Sequence, residues 1–279
     1  MKTYIFYLLL LLPLLSGFQA NAQTKQKWFR QEYGFAHSTV YDNGQSLAKY
    51  TGSGLSLNLG SETDRPKSYT KLDNALMVTF LNAKIANDKY ATNAQQGHVT
   101  MRYTYLRKLG KTQDRFLKLA VGGSVFVDAN VRLYSALSNN NLSWDSNIGL
   151  NVIGKAQHDF SFKNRSFSIS YQLGLPIIAY NLRPNYLGFI PLSATFEGEN
   201  GKNLNWQSLG RFVGGISDKY LYINQQIHLD KINANGNRIR LSYTWNYANN
   251  GFATHRYQNV MSSLSLGILT NFSKQKNIF

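Results

Sequence analysis

Residues 219–248, KYLYINQQIHLDKINANGNRIRLSYTWNYA, contain two alternating segments joined by one turn. The turn, residues 233–236, is rich in residues that tolerate a positive φ. Folding the chain about Ala234 forms an apolar face from the pairs Leu229/Ile239, Ile227/Leu241, Ile223/Trp245 and Leu221/Tyr247. The other face then contains the pairs Asp230/Arg238, His228/Arg240 and Asn224/Thr244. Because both segments sort in a single register, the stretch predicts an antiparallel hairpin with one apolar face and one charge-complementary face.

The same two-residue alternation recurs along the chain, in segments of about ten residues, which is the length a tilted strand needs to cross a bilayer. In residues 167–179 the apolar face is Phe167, Ile169, Tyr171, Leu173, Leu175 and Ile177, and the polar face begins with Ser168, Ser170 and Gln172. Residues 99–109, 117–127 and 144–152 repeat the pattern. A soluble β-sandwich also alternates, but its polar face would be a uniform solvated mixture. Here that face includes Arg, Asp, His and Asn, and 14% of the residues are aromatic, which favours a membrane barrel with interfacial girdles.

The sequence therefore predicts an all-β fold, a closed antiparallel transmembrane β-barrel of about twelve strands, with ten as the alternative. The predicted strands are 32–41, 47–60, 74–86, 97–109, 115–127, 143–157, 165–180, 186–197, 206–216, 219–231, 237–248 and 257–272. The pair 186–197 and 206–216 is the weakest, since its Gly and Pro content also fits a loop. An even count puts both termini in the periplasm, and the predicted outside loops are then 87–96, 128–142, 181–185 and 249–256.

The N-terminus has the features of an export signal. Lys2 precedes the apolar run YIFYLLLLLPLL at residues 4–15, and Ala20-Asn21-Ala22 supplies the small residues that signal peptidase needs. We expect residues 1–22 to be a signal peptide and residues 23–279 to be one barrel domain beginning at Gln23. The apolar run is short and interrupted by Pro13, which disfavours a retained membrane anchor.

Composition restricts the function classes. The chain has no cysteine, which excludes disulfides, thiolate metal sites and a lipidated cysteine. Removing Lys2 with the signal leaves 29 Lys+Arg against 14 Asp+Glu. In a cytosolic protein this basic excess would suggest a nucleic-acid partner, but the export signal argues against that and favours outer-membrane lipid and lipopolysaccharide, with their phosphorylated headgroups. A basic surface without a specific partner is the alternative.

The last alternating segment reads VMSSLSLGILTNF at residues 260–272 and is followed by a basic tail that ends in Phe279. A glycine, Gly267, followed by alternating apolar positions up to Phe272, resembles the terminal-strand signal read by the barrel-assembly machinery, and either Phe272 or Phe279 fits the terminal aromatic position. The chain as a whole resembles the small outer-membrane barrels of Gram-negative bacteria. Its Ala-Gln start and its Tyr-, Asn- and Lys-rich composition resemble those of the Bacteroidota.

Function is less constrained than fold. The predicted lumen charges are Arg102, Lys118, Asp145, His228, Asp230, Arg238 and Arg240. They could line a narrow passage that prefers anions, or form a hydrogen-bonded plug. We expect a porin-like or structural/accessory barrel that is not an enzyme and has no cofactor. The alternatives are a lipid-acting hydrolase, of phospholipase or lipid A deacylase type, and an accessory subunit of a secretion or surface-attachment system.

No catalytic residue is identifiable from the sequence. The five histidines are His37, His98, His158, His228 and His255. His37 and Ser38 are adjacent along a strand and so lie on opposite faces, which prevents direct activation of Ser38 by His37. No metal-ligand spacing of the His-x-His or Asp-x-Asp kind is present. A serine or carboxylate within hydrogen-bond reach of a histidine at the outer rim would favour the hydrolase.

Overall fold

The fold was analysed in a computed structural model, which describes residues 25–43, 46–85, 90–109, 116–135, 141–183, 210–214, 220–252 and 255–273. These residues form eleven strands. They are β1 (Gln26–Asp42), β2 (Ser46–Asp64), β3 (Ser68–Ile85), β4 (Tyr90–Leu109), β5 (Lys118–Tyr134), β6 (Leu142–Phe162), β7 (Arg165–Leu182), β8 (Gly210–Gly214), β9 (Tyr220–Ile232), β10 (Arg238–Phe252) and β11 (His255–Asn271). Within the described ranges no helix has the length and apolar character needed to cross a membrane.

The strands close into a ring by antiparallel pairing. Around the ring the order is β6-β5-β4-β3-β2-β1-β11-β10-β9-β7, and β7 pairs with β6 to complete it. β8 lies outside this ring of ten and pairs with the end of β7. The fold is therefore a closed antiparallel β-barrel of ten strands with one extra strand, which matches the alternative count and not the main prediction of twelve.

The two weakest predicted strands account for the difference. Residues 186–197 lie outside the described residues. Of residues 206–216, the strand β8 covers five residues, paired with Ile178–Leu182 of β7. The ladder between β7 and β9 ends at the pair Gly174/Asn224. Pro176 lies just beyond this pair, and because proline has no backbone N–H it weakens any further ladder at that point.

The barrel is apolar outside and polar inside, as the alternation predicts. Along β7 the outward Ile169 and Tyr171 are exposed, whereas Ser168, Ser170 and Gln172 are buried inside the ring. The same division holds on β4, where Met101 is exposed and Arg102 is buried. In water this arrangement would expose a wide apolar surface; in lipid it buries that surface while each of the ten ring strands pairs with two neighbours.

The hairpin of β9 and β10 has the predicted faces but a different register. Arg240 pairs with Asp230, Leu241 with Leu229 and Tyr247 with Ile223, a shift of two residues from the predicted pairs. The reason is the turn, in which Gly236 adopts a φ of 80° and its N–H donates to the Asn233 carbonyl oxygen at 2.9 Å. The pivot thus lies at Asn235 and not at Ala234, and a shift of two leaves every side chain on its predicted face.

The two ends of the barrel differ. We call the end that contains Gln26 and Asn271 the terminal end and the opposite end the loop end. Strands extend further toward the loop end than predicted: β4 already begins at Tyr90 and β5 continues to Tyr134, inside the predicted loops 87–96 and 128–142. Likewise β10 reaches Phe252 and β11 begins at His255, so loop 249–256 is largely strand, and β7 reaches Leu182, so it includes the first two residues of loop 181–185. The two-residue alternation continues into these segments, but the segments are polar and rich in Asn, which is also typical of loops.

Replacing Leu241 with arginine tests which face meets lipid. Leu241 is exposed on the outer face, in the middle of the apolar surface of β10. We expect Leu241→Arg to lower the free energy of unfolding in lipid vesicles by about 2–4 kcal/mol, because a guanidinium near the bilayer midplane is poorly solvated. Thr270→Arg, near the edge of the same surface, should cost about 0–1 kcal/mol. Equal costs at the two positions would contradict the assigned lipid face.

Candidate functional site

The interior of the barrel contains many charged side chains, and their positive and negative charges nearly balance. In the part of the chain that the structure describes, the buried cations are Arg30, Lys71, Arg102, Arg132, Arg183 and Arg240. The buried anions are Glu32, Asp42, Glu62, Asp73, Asp128, Asp145 and Asp230. Six cations thus face seven anions, which is a more acidic interior than the predicted lumen residues indicated.

One group of these charges forms a layer toward the terminal end, which we call the Arg240 layer: Arg30, Glu32, Glu62, Lys71, Asp73, Asp230 and Arg240. Arg240 makes a two-point contact with Asp230, at 2.6 Å from Nε to Oδ1 and 2.8 Å from Nη2 to Oδ2. The same guanidinium contacts both carboxylate oxygens of Glu62, with Nη2 at 3.2 Å from Oε2. Arg240 therefore bridges β2, β9 and β10 through charge-assisted hydrogen bonds, the strong kind.

Lys71 connects the Arg240 layer to the opposite wall of the barrel. Its Nζ lies 3.2 Å from Oδ2 of Asp73 on its own strand and 2.7 Å from Oε1 of Gln226 on β9. It also lies 3.3 Å from Nε2 of His228. β3 and β9 are five places apart in a ring of ten strands, so they stand diametrically opposite. The lumen is therefore spanned at this height by a side chain and its partner.

A second layer lies toward the loop end, which we call the Arg132 layer: Asp42, Arg132, Asp145, Arg183 and Tyr257. Arg132 is fully buried; its Nη2 lies 2.6 Å from Oδ1 of Asp145, and its Nη1 donates to the Tyr257 hydroxyl at 2.8 Å. Arg183 contacts Asp42 and lies over the Tyr257 ring. β5 and β11, which contribute Arg132 and Tyr257, are also diametrically opposite. The lumen is thus spanned a second time.

Between the two layers the interior is partly aromatic. Arg102 donates from Nη2 to the Tyr222 hydroxyl at 2.8 Å, and the Tyr222 ring stacks on Phe126 with centroids 4.9 Å apart. Asp128 accepts a hydrogen bond from Thr100 at 2.5 Å, and its Oδ1 lies 3.6 Å from Nε2 of His98. These groups join β4, β5 and β9, so the middle of the barrel is also packed with side chains.

The predicted lumen residues divide into two sets. Arg102, Asp145, His228, Asp230 and Arg240 are buried inside the ring and belong to the contacts described above. Arg238 is largely but not fully buried at the terminal end, where it lies 3.3 Å from Asp230 and over the Trp28 ring. Lys118 is also near the terminal end, half-exposed, with its Nζ 2.6 Å from Oδ2 of Asp159. Of the predicted assembly signal, Gly267 is in β11, Phe272 is exposed just after it, and Phe279 lies outside the described residues.

Five members of the Arg240 layer were not predicted: Arg30, Glu32, Glu62, Lys71 and Asp73. Apart from Glu32, each lies just beyond a predicted strand end, since the predicted strands began at 32, ended at 60 and began at 74. The strands actually continue through these residues. A signal was present, because Arg30/Glu32 and Lys71/Asp73 are spaced by two residues and so continue the inward alternation.

The outer face carries a hydrogen-bonded polar group near the loop end. His37 on β1 and Ser53 on β2 are paired across strands, both exposed, with His37 Nδ1 3.1 Å from Ser53 Oγ. The other ring nitrogen, Nε2, lies 3.4 Å from Oγ1 of Thr51, which in turn lies 3.0 Å from Oγ1 of Thr39. We call His37, Ser53, Thr51 and Thr39 the outer polar group. The registry between β1 and β2 places His37 beside Ser53, whereas the sequence analysis had considered His37 only with its neighbour Ser38.

The other histidines are weaker candidates for a catalytic or metal-binding role. His98 and His228 are enclosed inside the ring, and His158 donates from Nδ1–H to the Phe116 carbonyl oxygen at 2.6 Å near the terminal end. The side chain of His255 is outside the described set. Across the described residues, no group of three or more His, Cys, Asp or Glu side chains is arranged to hold a metal ion.

The chain matches a family model over residues 6–277, described as "Protein of unknown function (DUF3316)". The match covers nearly the whole chain, so the protein belongs to this family. None of the curated proteins compared with it matches.

Solved structures share the fold. The outer membrane protease OmpT from Escherichia coli is 6% identical with a TM-score of 0.53, and the match covers 92% of this chain and 99% of OmpT. The translocator domain of the autotransporter NalP from Neisseria meningitidis is 10% identical, with a TM-score of 0.34 and 95% of each chain covered. OprG from Pseudomonas aeruginosa is 9% identical, with a TM-score of 0.32 and coverage of 89% and 97%. At these identities the likeness to OmpT shows the fold alone, that of an outer-membrane β-barrel.

Proposed function

We propose that this DUF3316 protein is a closed, non-conducting outer-membrane barrel with a structural or accessory role, and not a passage for small solutes. The observation that carries the proposal is the pair of contacts that span the lumen, Lys71 to Gln226 and Arg132 to Tyr257, each between diametrically opposite strands. A ten-stranded barrel is narrow enough for side chains to fill. Two spanning layers in series leave the interior a packed core.

The charges support a plug more than an anion passage. An anion-preferring pore needs an excess of cations facing water. The buried interior instead has six cations and seven anions, most of them in mutual contact. Such pairs stabilise each other only when both partners are present, which is the behaviour of a structural core.

The proposal includes a location. The apolar outer surface fits the outer membrane, with residues 1–22 removed on export and both termini in the periplasm. The short turns at the terminal end, such as the two residues between β6 and β7, fit the periplasmic side. Lipopolysaccharide and outer-membrane lipid would surround the barrel, and the terminal strand with Phe272 would be read by the assembly machinery. The composition fits a Bacteroidota source.

With the lumen closed, interactions with other molecules would occur at the outer wall and at the loop end. An accessory subunit of a secretion or surface-attachment system works through such surfaces and needs no open channel. The interior histidines are enclosed by other side chains, which leaves them without access to a substrate.

Cysteine accessibility tests the proposal cleanly, because the native chain has no cysteine. Ser124 is buried inside the ring on β5, and Ser135 is exposed at the loop end. We expect a charged, membrane-impermeant thiol reagent to modify Ser135→Cys in intact cells within minutes and to leave Ser124→Cys unmodified until the barrel is denatured. Rapid modification of Ser124→Cys in the folded protein would contradict a closed lumen.

A further inference from the structure

We infer that the outer polar group is a lipid-facing esterase site, in which Ser53 is the nucleophile and His37 its base, acting on acyl esters of membrane lipids. This inference goes beyond the closed lumen and does not depend on it, since the group lies on the outside of the wall.

The first argument for this site is the depth at which the outer polar group lies in the membrane. At its register level on the outer face, Ser53 pairs with Phe80 on β3, and His37 pairs with Ser262 on β11, which pairs with Trp245 on β10. One step toward the terminal end the face is strongly apolar: Phe35 is 74% exposed, Leu55 66% and Leu264 52%. Aromatic side chains at the edge of an apolar band mark the interface of a bilayer. The group therefore lies at the edge of the apolar band.

That depth matches the chemistry of the substrate. The ester carbonyls of glycerolipids and of acylated sugars lie between the headgroup and the hydrocarbon chains. A nucleophile at the edge of the apolar band meets these carbonyls while the acyl chains lie along Phe35, Leu55 and Leu264.

The hydrogen-bond pattern fits nucleophilic catalysis. When Nδ1 of His37 is unprotonated, it accepts the hydrogen of the Ser53 hydroxyl at 3.1 Å, and Nε2–H then points to Oγ1 of Thr51 at 3.4 Å. Nucleophilic catalysis of this kind requires a nucleophile, a base within hydrogen-bond reach of it, and a third group that orients the base. Thr51 is thus a positioning residue, and it is held by Thr39 at 3.0 Å.

On both sides of Ser53 the backbone of β2 lies unusually close to that of β3. Gly52 and Gly54 flank it, and a Cβ at either would lie 1.8 Å from a carbonyl oxygen of β3, that of Phe80 or of Val78. Glycine in a strand marks a tight bend or a close backbone approach. These two glycines let β2 run close to β3 on both sides of Ser53, which fixes where the hydroxyl is presented.

The reaction balances with water as the only co-reactant. Ser53 Oγ attacks the acyl carbonyl carbon, and its proton passes to Nδ1 of His37. The ester C–O bond then breaks, and His37 returns that proton to the departing alcohol oxygen, leaving an acyl group on Ser53. Water attacks this acyl-serine and gives one proton to His37, which passes it back to Ser53 Oγ as the fatty acid leaves.

The test uses the purified full-length mature protein folded into vesicles. One vesicle set contains phosphatidylethanolamine and phosphatidylglycerol, and a second also contains lipid A, so the two ester sources are distinguished. We expect fatty acid release in at least one set and covalent labelling of Ser53 by a fluorophosphonate probe. Ser53→Ala and His37→Gln should each reduce release by about a thousandfold or more.

Ser262→Ala is the matched control, because Ser262 is at the same level on the other side of His37; it should release fatty acid at the wild-type rate. Thr51→Val should lower kcat and leave KM unchanged, and Thr51→Ser should restore kcat. All variants should keep the gel shift of a folded barrel on heating. Release that persists in folded Ser53→Ala, or no release and no labelling of Ser53 in either vesicle set, would overturn the esterase site while leaving the closed lumen untouched.

Discussion

Replacing Arg240 with alanine is expected to lower the free energy of unfolding in lipid vesicles by about 3–5 kcal/mol. Arg240 is 3% exposed and is in contact with two carboxylates, Asp230 and Glu62. Removing the guanidinium leaves both of them buried with like charge and with only the longer contacts, Arg238 to Asp230 at 3.3 Å and Arg30 to Glu62 at 3.9 Å, and poorly paired desolvated charges are costly. Unfolding followed by tryptophan fluorescence in urea would give the change.

Arg238 provides the control for this prediction. It contacts the same Asp230, at 3.3 Å, and its side chain is 14% exposed at the terminal end. Because Asp230 keeps its closer partner Arg240 in this variant, Arg238→Ala should cost only about 0–1 kcal/mol. A small cost for Arg240→Ala, similar to that of Arg238→Ala, would mean that water enters the Arg240 layer and that the layer is not a packed plug.

Removing both spanning side chains is expected to open a narrow path beside the Arg102–Tyr222 contact, which remains between the two layers. The double variant Lys71→Ala/Arg132→Ala loses the contacts to Gln226 and Tyr257 on the opposite strands. Its buried interior would retain four cations against seven anions, so the current should be carried mostly by cations. Each single variant retains one spanning layer and should stay closed. Planar-bilayer recordings of the three proteins give the comparison.

The double variant Lys71→Met/Arg132→Met is the matched control, since methionine removes the same two charges and keeps most of the side-chain volume. It should conduct much less than the double alanine variant. If the two double variants conduct equally, the charges and not the side-chain volume close the lumen. If a single alanine variant already conducts fully, the other layer does not close the barrel.

The barrel was predictable from the sequence because its wall has a strict two-residue period. Positions such as Met101 and Arg102, or Ile169 and Ser170, differ in polarity at every step, so the faces were assigned without any knowledge of the pairing. The faces of the β9–β10 hairpin survived even though its pairs were shifted by two, since only an odd shift exchanges the faces.

Strand ends and cross-barrel contacts were harder to predict for a physical reason. Inside the barrel a strand can continue past the apolar band with charged residues, because inward-facing partners neutralise them: Arg240 of another strand for Glu62, and Asp73 of its own strand for Lys71. Read one strand at a time, those residues resemble a solvated turn. Arg240 with Glu62, and Lys71 with Gln226, are separated by 178 and 155 residues, and local patterning has no information about such pairs.

The outer polar group shows the same restriction. From the sequence, His37 could be compared only with its neighbour Ser38, which faces the interior and is buried. Its actual partner, Ser53, depends on the registry between β1 and β2, which is set by pairing along the whole hairpin. Function at this wall therefore becomes visible only once the strands are placed side by side.

The most direct test of the closed lumen is the conductance of the wild-type protein, purified, refolded and inserted into planar bilayers. The gel shift on heating verifies folding, and the Lys71→Ala/Arg132→Ala variant shows that an inserted, open barrel would be detected. The two spanning layers predict no steady single-channel current in the wild type. Stable, long-lived openings of the wild-type protein would contradict them.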